Sequence, residues 1–269
     1  MNACLRHYVR HFASLAALAA IALAGCFSFH AAEAAAPAPT APNPGFYRMT
    51  VGDFEVTALS DGTQPLPADR LLVNIKPEDV KSALAAAYLE SPVENSDNAY
   101  LVNTGRKLIL IDAGSGKLLG PARGQLRANL VAAGYKPEQV DEVYLTHLHP
   151  DHVGGLMDGA ALAFPNAIVR VDQKDVDYWL SQENMDKAPE QFKRFFTGAK
   201  ASLQPYMQAG RVKTFQGNTE LAPGLRAVAS PGHTPGHSVF VAESRGQKIV
   251  FWGDLVHIVA VQFGAPSAG

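Results

Sequence analysis

The feature that most constrains this chain is a run of side chains able to bind a metal, placed directly after a short apolar segment. A strand is predicted at Val143–Thr146, and it continues into Thr146-His147-Leu148-His149-Pro150-Asp151-His152. His147 and His149 are two residues apart where the backbone leaves the strand, so both imidazoles can point to one side. Imidazole and carboxylate groups this close together suit Zn²⁺ or a similar divalent ion. The segment therefore predicts a metal site, against the alternative of a polar surface loop.

The remaining histidines outside the N-terminal leader fall in two further short segments. His233 and His237 lie in Gly232-His233-Thr234-Pro235-Gly236-His237, where the glycines permit a tight turn after a strand. We expect His233 to be a metal ligand and His237 to support the loop or orient a ligand, with direct ligation by His237 as the alternative. Asp254 and His257 follow an apolar strand, so the Asp254 carboxylate is expected to emerge at a strand end, with a turn-capping role as the alternative.

The first 36 residues have the layout of a signal peptide. Arg6 and Arg10 precede an almost uninterrupted apolar run at 12–25, and the alanines at 34–36 supply a cleavage pattern of small residues. The segment Leu23-Ala24-Gly25-Cys26 resembles a bacterial lipobox, so lipidation of Cys26 is the alternative, and an uncleaved anchor is a third. The expected location is periplasmic or secreted, or that of a lipoprotein anchored through Cys26. Residues 37–44 form a Pro/Ala-rich linker.

Composition narrows the chemistry of the predicted site. The 269-residue chain is 47% hydrophobic and 18% charged, which is typical of a globular protein. Its formal net charge of -2 gives no reason to expect nucleic acid as a partner. Both cysteines, Cys4 and Cys26, lie in the leader, so a mature chain would have neither a disulfide nor a thiolate metal site. Any metal must then be held by histidine and carboxylate.

Hydrophobic patterning predicts a layered α/β architecture with strands in both halves of the chain and helices outside. The expected helices are 77–89, 125–133, 173–181 and 188–209. The expected strands are 46–51, 54–59, 98–102, 107–111, 143–146, 167–171, 225–229, 238–243 and 248–252. The metal-binding candidates follow predicted strand ends, where layered α/β folds often place their chemistry.

The order of these candidates resembles the metal-site pattern of the metallo-β-lactamase superfamily, which is HxHxDH, a later GH and a GD after a strand. The resemblance runs from about Gly45 to the end of the chain, so residues 45–269 are identified as one metallo-β-lactamase-like hydrolase domain. Five stretches are similar to methyl parathion hydrolases in particular. They are Gly45-Phe46-Tyr47-Arg48-Met49, Ala58-Leu59-Ser60-Asp61-Gly62, His149-Pro150-Asp151-His152-Val153-Gly154-Gly155-Leu156-Met157, Gly232-His233-Thr234-Pro235-Gly236-His237 and Ala260-Val261-Gln262-Phe263.

The resemblance implies an αββα sandwich with two divalent metal ions, expected to be zinc, in a cleft at one sheet edge. The implied ligands are His147, His149 and His233 for the first metal, Asp151 and His152 for the second, and Asp254 as a bridge between both. The implied reaction is attack of a metal-held hydroxide on a phosphotriester, lactone or related ester, with Asp151 and Asp254 as catalytic carboxylates. Asp112 matches the family's Asp-x-Gly turn, which supports the metal loop.

The resemblance also implies an aromatic pocket for the leaving group. Trp179 matches one pocket position and Phe195 or Phe196 another, with plain helix packing as the alternative for all three. Leu119 stands where the family carries Phe, and His257 where it carries an aliphatic residue, which predicts a more polar pocket that suits an aryl organophosphate less well. The expected partner is a small-molecule ester, and a homodimer is left open.

The chain departs from the family pattern in one respect. The family carries one more metal-binding histidine well after the strand-terminal aspartate, and no His follows His257. We therefore expect the chain to lack the last strand and helices of the sandwich and its second metal site to be weak, with recruitment of His257 as an alternative. Three hypotheses remain open: an active binuclear hydrolase, a mononuclear or inactive metal-binding relative, and a fragment that does not fold stably.

Overall fold

Strands from both halves of the chain pair into two main sheets. The computed structural model describes residues 43–269, so the predicted signal peptide (1–36), the Cys26 anchor and most of the linker (37–44) lie outside the described residues. The strands are β1 (Phe46–Val51), β2 (Phe54–Leu66), β3 (Val93–Asn103), β4 (Leu108–Ile111), β5 (Glu142–Tyr144), β6 (Met157–Asp158), β7 (Ala161–Leu162), β8 (Ile168–Asp172), β9 (Val212–Phe215), β10 (Thr219–Ala222), β11 (Leu225–Ala229), β12 (Ser238–Ser244) and β13 (Gln247–Phe251).

The larger sheet has the strand order β1-β2-β3-β4-β5-β8-β9 and the smaller one β10-β11-β12-β13, while β6 and β7 form a separate pair. The larger sheet is antiparallel from β1 to β4 and parallel from β4 to β9, and the smaller sheet is antiparallel throughout. Every residue of β4 and β5 is buried, as expected for central parallel strands that are covered on both faces.

The described residues form eight helices, four of which cover the larger sheet on the face opposite the smaller sheet. The eight are α1 (Ala68–Leu71), α2 (Pro77–Ala86), α3 (Leu126–Ala132), α4 (Pro150–Val153), α5 (Gln173–Trp179), α6 (Gln182–Lys187), α7 (Glu190–Gln208) and α8 (Val259–Gln262). One core joins α3, α4, α5 and α7 to the larger sheet, and a second core lies between the two sheets. This layering agrees with the predicted α/β sandwich. Among the described elements, no helix combines the length and the apolarity that a membrane span requires.

Most predicted elements are confirmed, and the differences have local causes. Strands β1 and β11 have the predicted ends. Strand β2 continues to Leu66 because its pairing with β3 shifts register between Ser60 and Gly62 and then resumes. The predicted helix 173–181 ends early because the Ser181 side chain caps α6. Strands β9 and β10 have no predicted counterpart, since their polar, partly exposed positions obscure the apolar alternation.

The three segments with candidate ligands meet at one edge of this sandwich. Strand β5 runs into the His147 loop, residues 230–237 join β11 to β12, and Asp254 lies in a short 3-10 turn after β13. The Ser238 N–H donates to the Thr146 carbonyl at 2.9 Å, which joins the two sheets beside the first of these loops. The fold therefore brings together residues that are far apart in sequence.

A small helical cluster forms one side of the same edge. It consists of residues from α1, α2 and α8 with their flanks, and its buried members are Ala68, Val80, Leu84, Ile258 and Val261. Because α8 begins shortly after Asp254, this cluster fixes the chain that leaves the candidate ligand.

A buried carboxylate, Asp61, holds the loop that follows β4. Its side chain is 1% exposed, and its Oδ2 accepts the Ser115 N–H at 2.9 Å, the Ser115 hydroxyl at 2.6 Å and the Gly124 N–H at 3.0 Å. Its Oδ1 accepts the Leu126 N–H at 3.1 Å. Gly114 has φ +71°, and a Cβ there would lie 2.5 Å from Asp61 Oδ1, so the close approach requires glycine.

Replacing Asp61 with alanine is expected to lower the free energy of unfolding by about 3 kcal/mol or more, because each buried N–H that loses its acceptor costs about 1–3 kcal/mol. Urea unfolding of the variant and the wild-type chain measures the difference. The matched control is Asp186→Ala, an exposed residue whose carboxylate, within residues 43–269, accepts only from Gln182 on its own helix, and for it we expect a change within about 0.5 kcal/mol. Equal losses in the two variants would contradict the assignment.

Candidate metal centre

The first candidate ligand group combines three imidazoles with one carboxylate. One ligand atom each of His147, His149, His233 and Asp254 lies within 4.8 Å of all the others. His149 Nδ1 faces His233 Nε2 at 2.9 Å, and His233 Nε2 lies 3.2 Å from Asp254 Oδ2. Ring nitrogens and a carboxylate oxygen that converge on one point are a suitable donor set for zinc.

His147 carries the observation that tests whether a cation fits. The Thr146 hydroxyl contacts Asp112 Oδ2 at 2.9 Å and His147 Nδ1 at 3.0 Å. If the hydroxyl donates to the carboxylate, His147 Nδ1 donates to the hydroxyl and Nε2 keeps its lone pair. That Nε2 atom is buried and has no hydrogen-bond partner among the described residues. Since buried polar atoms are nearly always paired, a cation at this point fits the site.

The second candidate group contains Asp151, His152 and again Asp254, with ligand atoms within 4.8 Å of one another. His152 Nε2 lies 3.0 Å from Asp254 Oδ1 and 3.9 Å from Asp151 Oδ2. Asp254 thus offers Oδ2 to the first group and Oδ1 to the second. A shared carboxylate of this kind is what a pair of neighbouring cations would need.

Burial and charge set the protonation of these groups in opposite directions. Burial lowers the pKa of His147 well below its usual value and the pKa of His149 to about 3, so both are neutral at neutral pH and can bind a metal. Burial also disfavours the charged form of His152, but the Asp254 and Asp112 carboxylates outweigh it and raise the pKa of His152. Burial opposes ionisation of Asp254, yet His152 and His147 hold its pKa well below the usual value.

Asp112 forms hydrogen bonds to residues beside or within both groups, as its Asp-x-Gly turn predicts. Its Oδ1 accepts the Thr146 N–H at 2.8 Å, and its Oδ2 accepts from His152 Nδ1 at 2.8 Å. The residue has φ +59°, which is unusual for a non-glycine residue and is held by these contacts. The His152 ring is therefore fixed with Nε2 toward the cluster.

His237 lies outside both groups and orients Asp254. This agrees with the expectation that His237 supports the loop or orients a ligand, and not with direct ligation. His237 is buried, its Nδ1 donates to the Ser230 carbonyl at 3.1 Å, and its Nε2 accepts the Asp254 N–H at 3.1 Å. Burial lowers the pKa of His237, which favours the neutral tautomer that these two bonds require. Gly253 has φ +54°, and a Cβ there would lie 2.7 Å from His237 Nε2.

His257 touches the cluster without joining either group. Its Nε2 lies 3.1 Å from Asp254 Oδ2, and this contact raises the pKa of His257. Its backbone N–H donates to Gln262 Oε1 at 2.7 Å, and the N–H of Ile258 donates to the same oxygen at 2.8 Å. Gln262, a residue with no role predicted from the sequence, thus fixes the turn that presents His257.

A cleft of about 670 Å³ opens over the cluster. Its lining includes His149, Asp151, His152, His233, Asp254 and His257. The predicted pocket residue Phe195 lines it as well, together with Phe192, which precedes Phe195 by one helical turn of α7 and was not predicted. Trp179 lines an adjoining cavity of about 440 Å³, with its ring centre 4.9 Å from that of His149.

Two predicted pocket residues lie elsewhere. Phe196 is fully buried in the core between α7 and the larger sheet, and it lines neither cavity. The helix-packing alternative therefore holds for Phe196, because consecutive helical residues point about 100° apart and Phe195 takes the cleft side. Leu119 is half-buried in the loop after β4 and also lines neither cavity. The Leu119 carbonyl accepts a hydrogen bond from the Arg123 side chain at 3.4 Å, and this contact lies within the loop itself.

Comparison with known proteins agrees with this geometry. Residues 93–266 match the family model of the metallo-beta-lactamase superfamily. The chain is similar to the solved structure of hydrolase AbOPH of the beta lactamase superfamily, with 37% identity, a TM-score of 0.80, and 85% of this chain and 80% of that chain covered. It is also similar to AidC, a dizinc quorum-quenching lactonase solved with its product N-hexanoyl-L-homoserine, with 26% identity, a TM-score of 0.76, and 82% and 78% covered.

Curated sequences give shorter matches. An N-acyl homoserine lactonase of Bacillus sp. is 29% identical over 115 residues, which is 43% of this chain and 38% of the lactonase. The matches to the curated relatives span from 38% to 59% of those proteins' own lengths. The narrower resemblance to methyl parathion hydrolases stays a prediction. With its layered α/β sandwich and its histidine–aspartate cluster at one sheet edge, the chain belongs to the metallo-beta-lactamase superfamily.

Proposed function

We propose that the chain is a metal-dependent hydrolase that binds two divalent ions, zinc in the first instance, and cleaves a lactone or a related small-molecule ester. The observation that carries this proposal is the pair of ligand groups that share Asp254 on the wall of a cleft. A cleft of about 670 Å³ has the volume of an ordinary small-molecule site.

The proposed ligands are the residues that the fold brings together: His147, His149 and His233 for one ion, Asp151 and His152 for the other, and Asp254 for both. Bound there, divalent ions supply Lewis acidity, which polarises an ester oxygen and acidifies water. The side chains around the ligands set their protonation and their position. Burial keeps His147 and His149 unprotonated, and the His237 ring fixes the backbone of Asp254. Asp151 and Asp254 are the proposed catalytic carboxylates.

The lining of the cleft supports a substrate with one polar and one apolar end. The lining includes the polar side chains of Gln64, Asn95 and Asp97 and the apolar side chains of Leu66, Leu71 and Leu72. A lactone ring with an amide or ester link would meet the polar side chains, while an acyl chain would cover the leucines. The product found in AidC, N-hexanoyl-L-homoserine, combines a polar end with an apolar chain, so we propose an N-acyl lactone as the first substrate to test.

A phosphotriester is the second candidate. The observation that favours it is the aromatic wall beside His149, where the ring centres of Trp179 and Phe195 lie 4.9 and 5.1 Å from the imidazole. An aryl leaving group could stack there. His257 and the polar wall make the rest of the cleft less suited to such a substrate.

Export and assembly remain proposals that rest on sequence features. We propose cleavage of a signal peptide at residues 1–36 and a periplasmic or secreted location, with lipidation of Cys26 as the alternative. The homodimer that the sequence leaves open is likewise a proposal.

The test is a substrate panel with the zinc-loaded full chain. We expect N-hexanoyl-homoserine lactone to be hydrolysed with a higher kcat/KM than an aryl dialkyl phosphate, and His149→Ala to reduce both rates to background with the protein still soluble. Asp177→Asn is the control, since in the described part of the chain this exposed carboxylate accepts only from Gln173 on its own helix. A higher kcat/KM for the phosphate would favour the second candidate. The absence of turnover with every ester, or full activity of His149→Ala, would contradict the proposed hydrolase.

A further inference from the structure

A buried carboxylate on α5 lies beneath the two loops that carry the histidine ligands. Asp175 has 0% exposure, stands in the first turn of α5, and lines neither cavity of the site. A buried charge without a binding partner in solvent is costly unless hydrogen bonds satisfy it. The hydrogen-bond donors that satisfy the Asp175 carboxylate therefore indicate its role.

Both oxygens of Asp175 accept backbone N–H groups from the ligand loops. Oδ2 accepts from Leu148 at 3.0 Å, and Leu148 stands between His147 and His149. Oδ1 accepts from Gly236 at 2.6 Å, and Gly236 stands between His233 and His237. One side chain thus binds both histidine loops, to which it is linked across 27 and 61 residues of sequence.

The contact at Gly236 is too close for any other residue. A Cβ at position 236 would lie 2.6 Å from the Asp175 backbone nitrogen and 2.9 Å from Asp175 Oδ1. The glycine has no positive φ, so its role is the close approach of the loop to α5 rather than a left-handed turn. Gly236 and Asp175 therefore form one close contact between the loop and the helix.

We propose that Asp175 is a positioning residue that sets the spacing of the two histidine loops and thereby the affinity of the first metal group. This inference rests on the proposed function, because it presupposes that His147, His149 and His233 bind a metal. Charge-assisted hydrogen bonds to both loops hold His147 and His149 on one side and His233 on the other, at the separation at which His149 Nδ1 and His233 Nε2 face each other at 2.9 Å. Without the carboxylate, the two loops keep their histidines but lose the hydrogen bonds that tie both of them to α5.

The N-cap of the same helix, Asp172 at the end of β8, provides a matched control. Asp172 is also buried and precedes Asp175 by one helical turn, but its carboxylate accepts the N–H of Lys174 at 2.8 Å and the N–H of Gly217 at 2.9 Å. It caps α5 and lies near Gly236, where a Cβ would be 3.1 Å from Asp172 Oδ1, but it accepts no hydrogen bond from either histidine loop. A substitution at Asp172 therefore perturbs the start of the same helix without removing a bond to a ligand loop.

The experiment measures zinc affinity rather than activity. Zinc is titrated into the full-length wild type, Asp175→Asn, Asp175→Ala and Asp172→Asn in competition with a chromogenic chelator, and the visible spectrum of the Co²⁺ form is recorded. We expect zinc affinity to fall by about 10–100-fold in the Asp175 variants, the range found for residues that orient metal ligands, with a changed Co²⁺ spectrum. Asp175→Asn keeps one acceptor oxygen and the shape of the side chain, so it remains informative if the alanine variant does not fold.

The outcomes separate this inference from the proposed function. Asp175→Asn with wild-type zinc affinity and an unchanged Co²⁺ spectrum would overturn the positioning role. An equal loss of affinity in Asp172→Asn would overturn it too, because the effect would then come from the helix as a whole. A wild-type chain that binds no divalent metal would overturn the proposed function itself, and the positioning role with it.

Discussion

Replacing Asp254 with alanine is expected to lower kcat/KM by more than about 100-fold, the upper end of the effect for residues that only orient metal ligands. The reason is geometric: Oδ2 of Asp254 approaches His233 Nε2 at 3.2 Å, and Oδ1 approaches His152 Nε2 at 3.0 Å. Loss of this carboxylate removes a ligand from both groups at once. Steady-state kinetics with the proposed lactone substrate, together with zinc content, measure the effect.

The comparison that sharpens this result is His152→Ala, which alters only the second group. We expect Asp254→Ala to lose zinc from both groups and His152→Ala to retain zinc at the first. Thermal unfolding of the metal-free proteins serves as the control for folding. Wild-type kcat/KM in Asp254→Ala would rule out the shared carboxylate as part of the reaction.

Removal of metal with a strong chelator is expected to abolish turnover, and added Zn²⁺, Mn²⁺ or Co²⁺ is expected to restore it. The described cleft brings together imidazoles and carboxylates but no cysteine. The proposed reaction therefore depends on a metal ion bound by these imidazoles and carboxylates. Activity is measured before chelation, after removal of the chelator, and after addition of each ion. The metal-free protein should also unfold at a lower temperature, since ligand binding stabilises the folded state by mass action. Turnover that is indifferent to the chelator would count directly against the proposed mechanism.

The metal cluster could be predicted from the sequence because its signals are local. His147, His149 and His152 lie within six residues after a strand, and Asp254 directly follows another, so residue type and spacing were sufficient. The layered α/β class was predictable for the same reason, since strand and helix periodicity is a property of short segments, whereas the αββα sandwich was implied by the family resemblance. The structure brings these residues to one edge of the sandwich, as predicted.

The pocket and the supporting residues could not be predicted equally well. Phe195 and Phe196 are neighbours of the same type, and only the packing of α7 decides that one lines the cleft and the other lies in the core. Asp61 and Asp175 bind backbone N–H groups that are distant in sequence, and such contacts leave no spacing pattern. Any acidic residue in a loop or at a helix start would have looked the same.

The central claim is that the chain holds two metal ions through groups that share Asp254. It is tested most directly by elemental mass spectrometry of the purified full-length protein at equilibrium with free zinc, with the free zinc subtracted, so that a weak second site is counted. We predict about two zinc ions per chain, and about one for His152→Ala. One zinc ion or none in the wild-type chain would contradict the binuclear centre and would favour the mononuclear or inactive alternative.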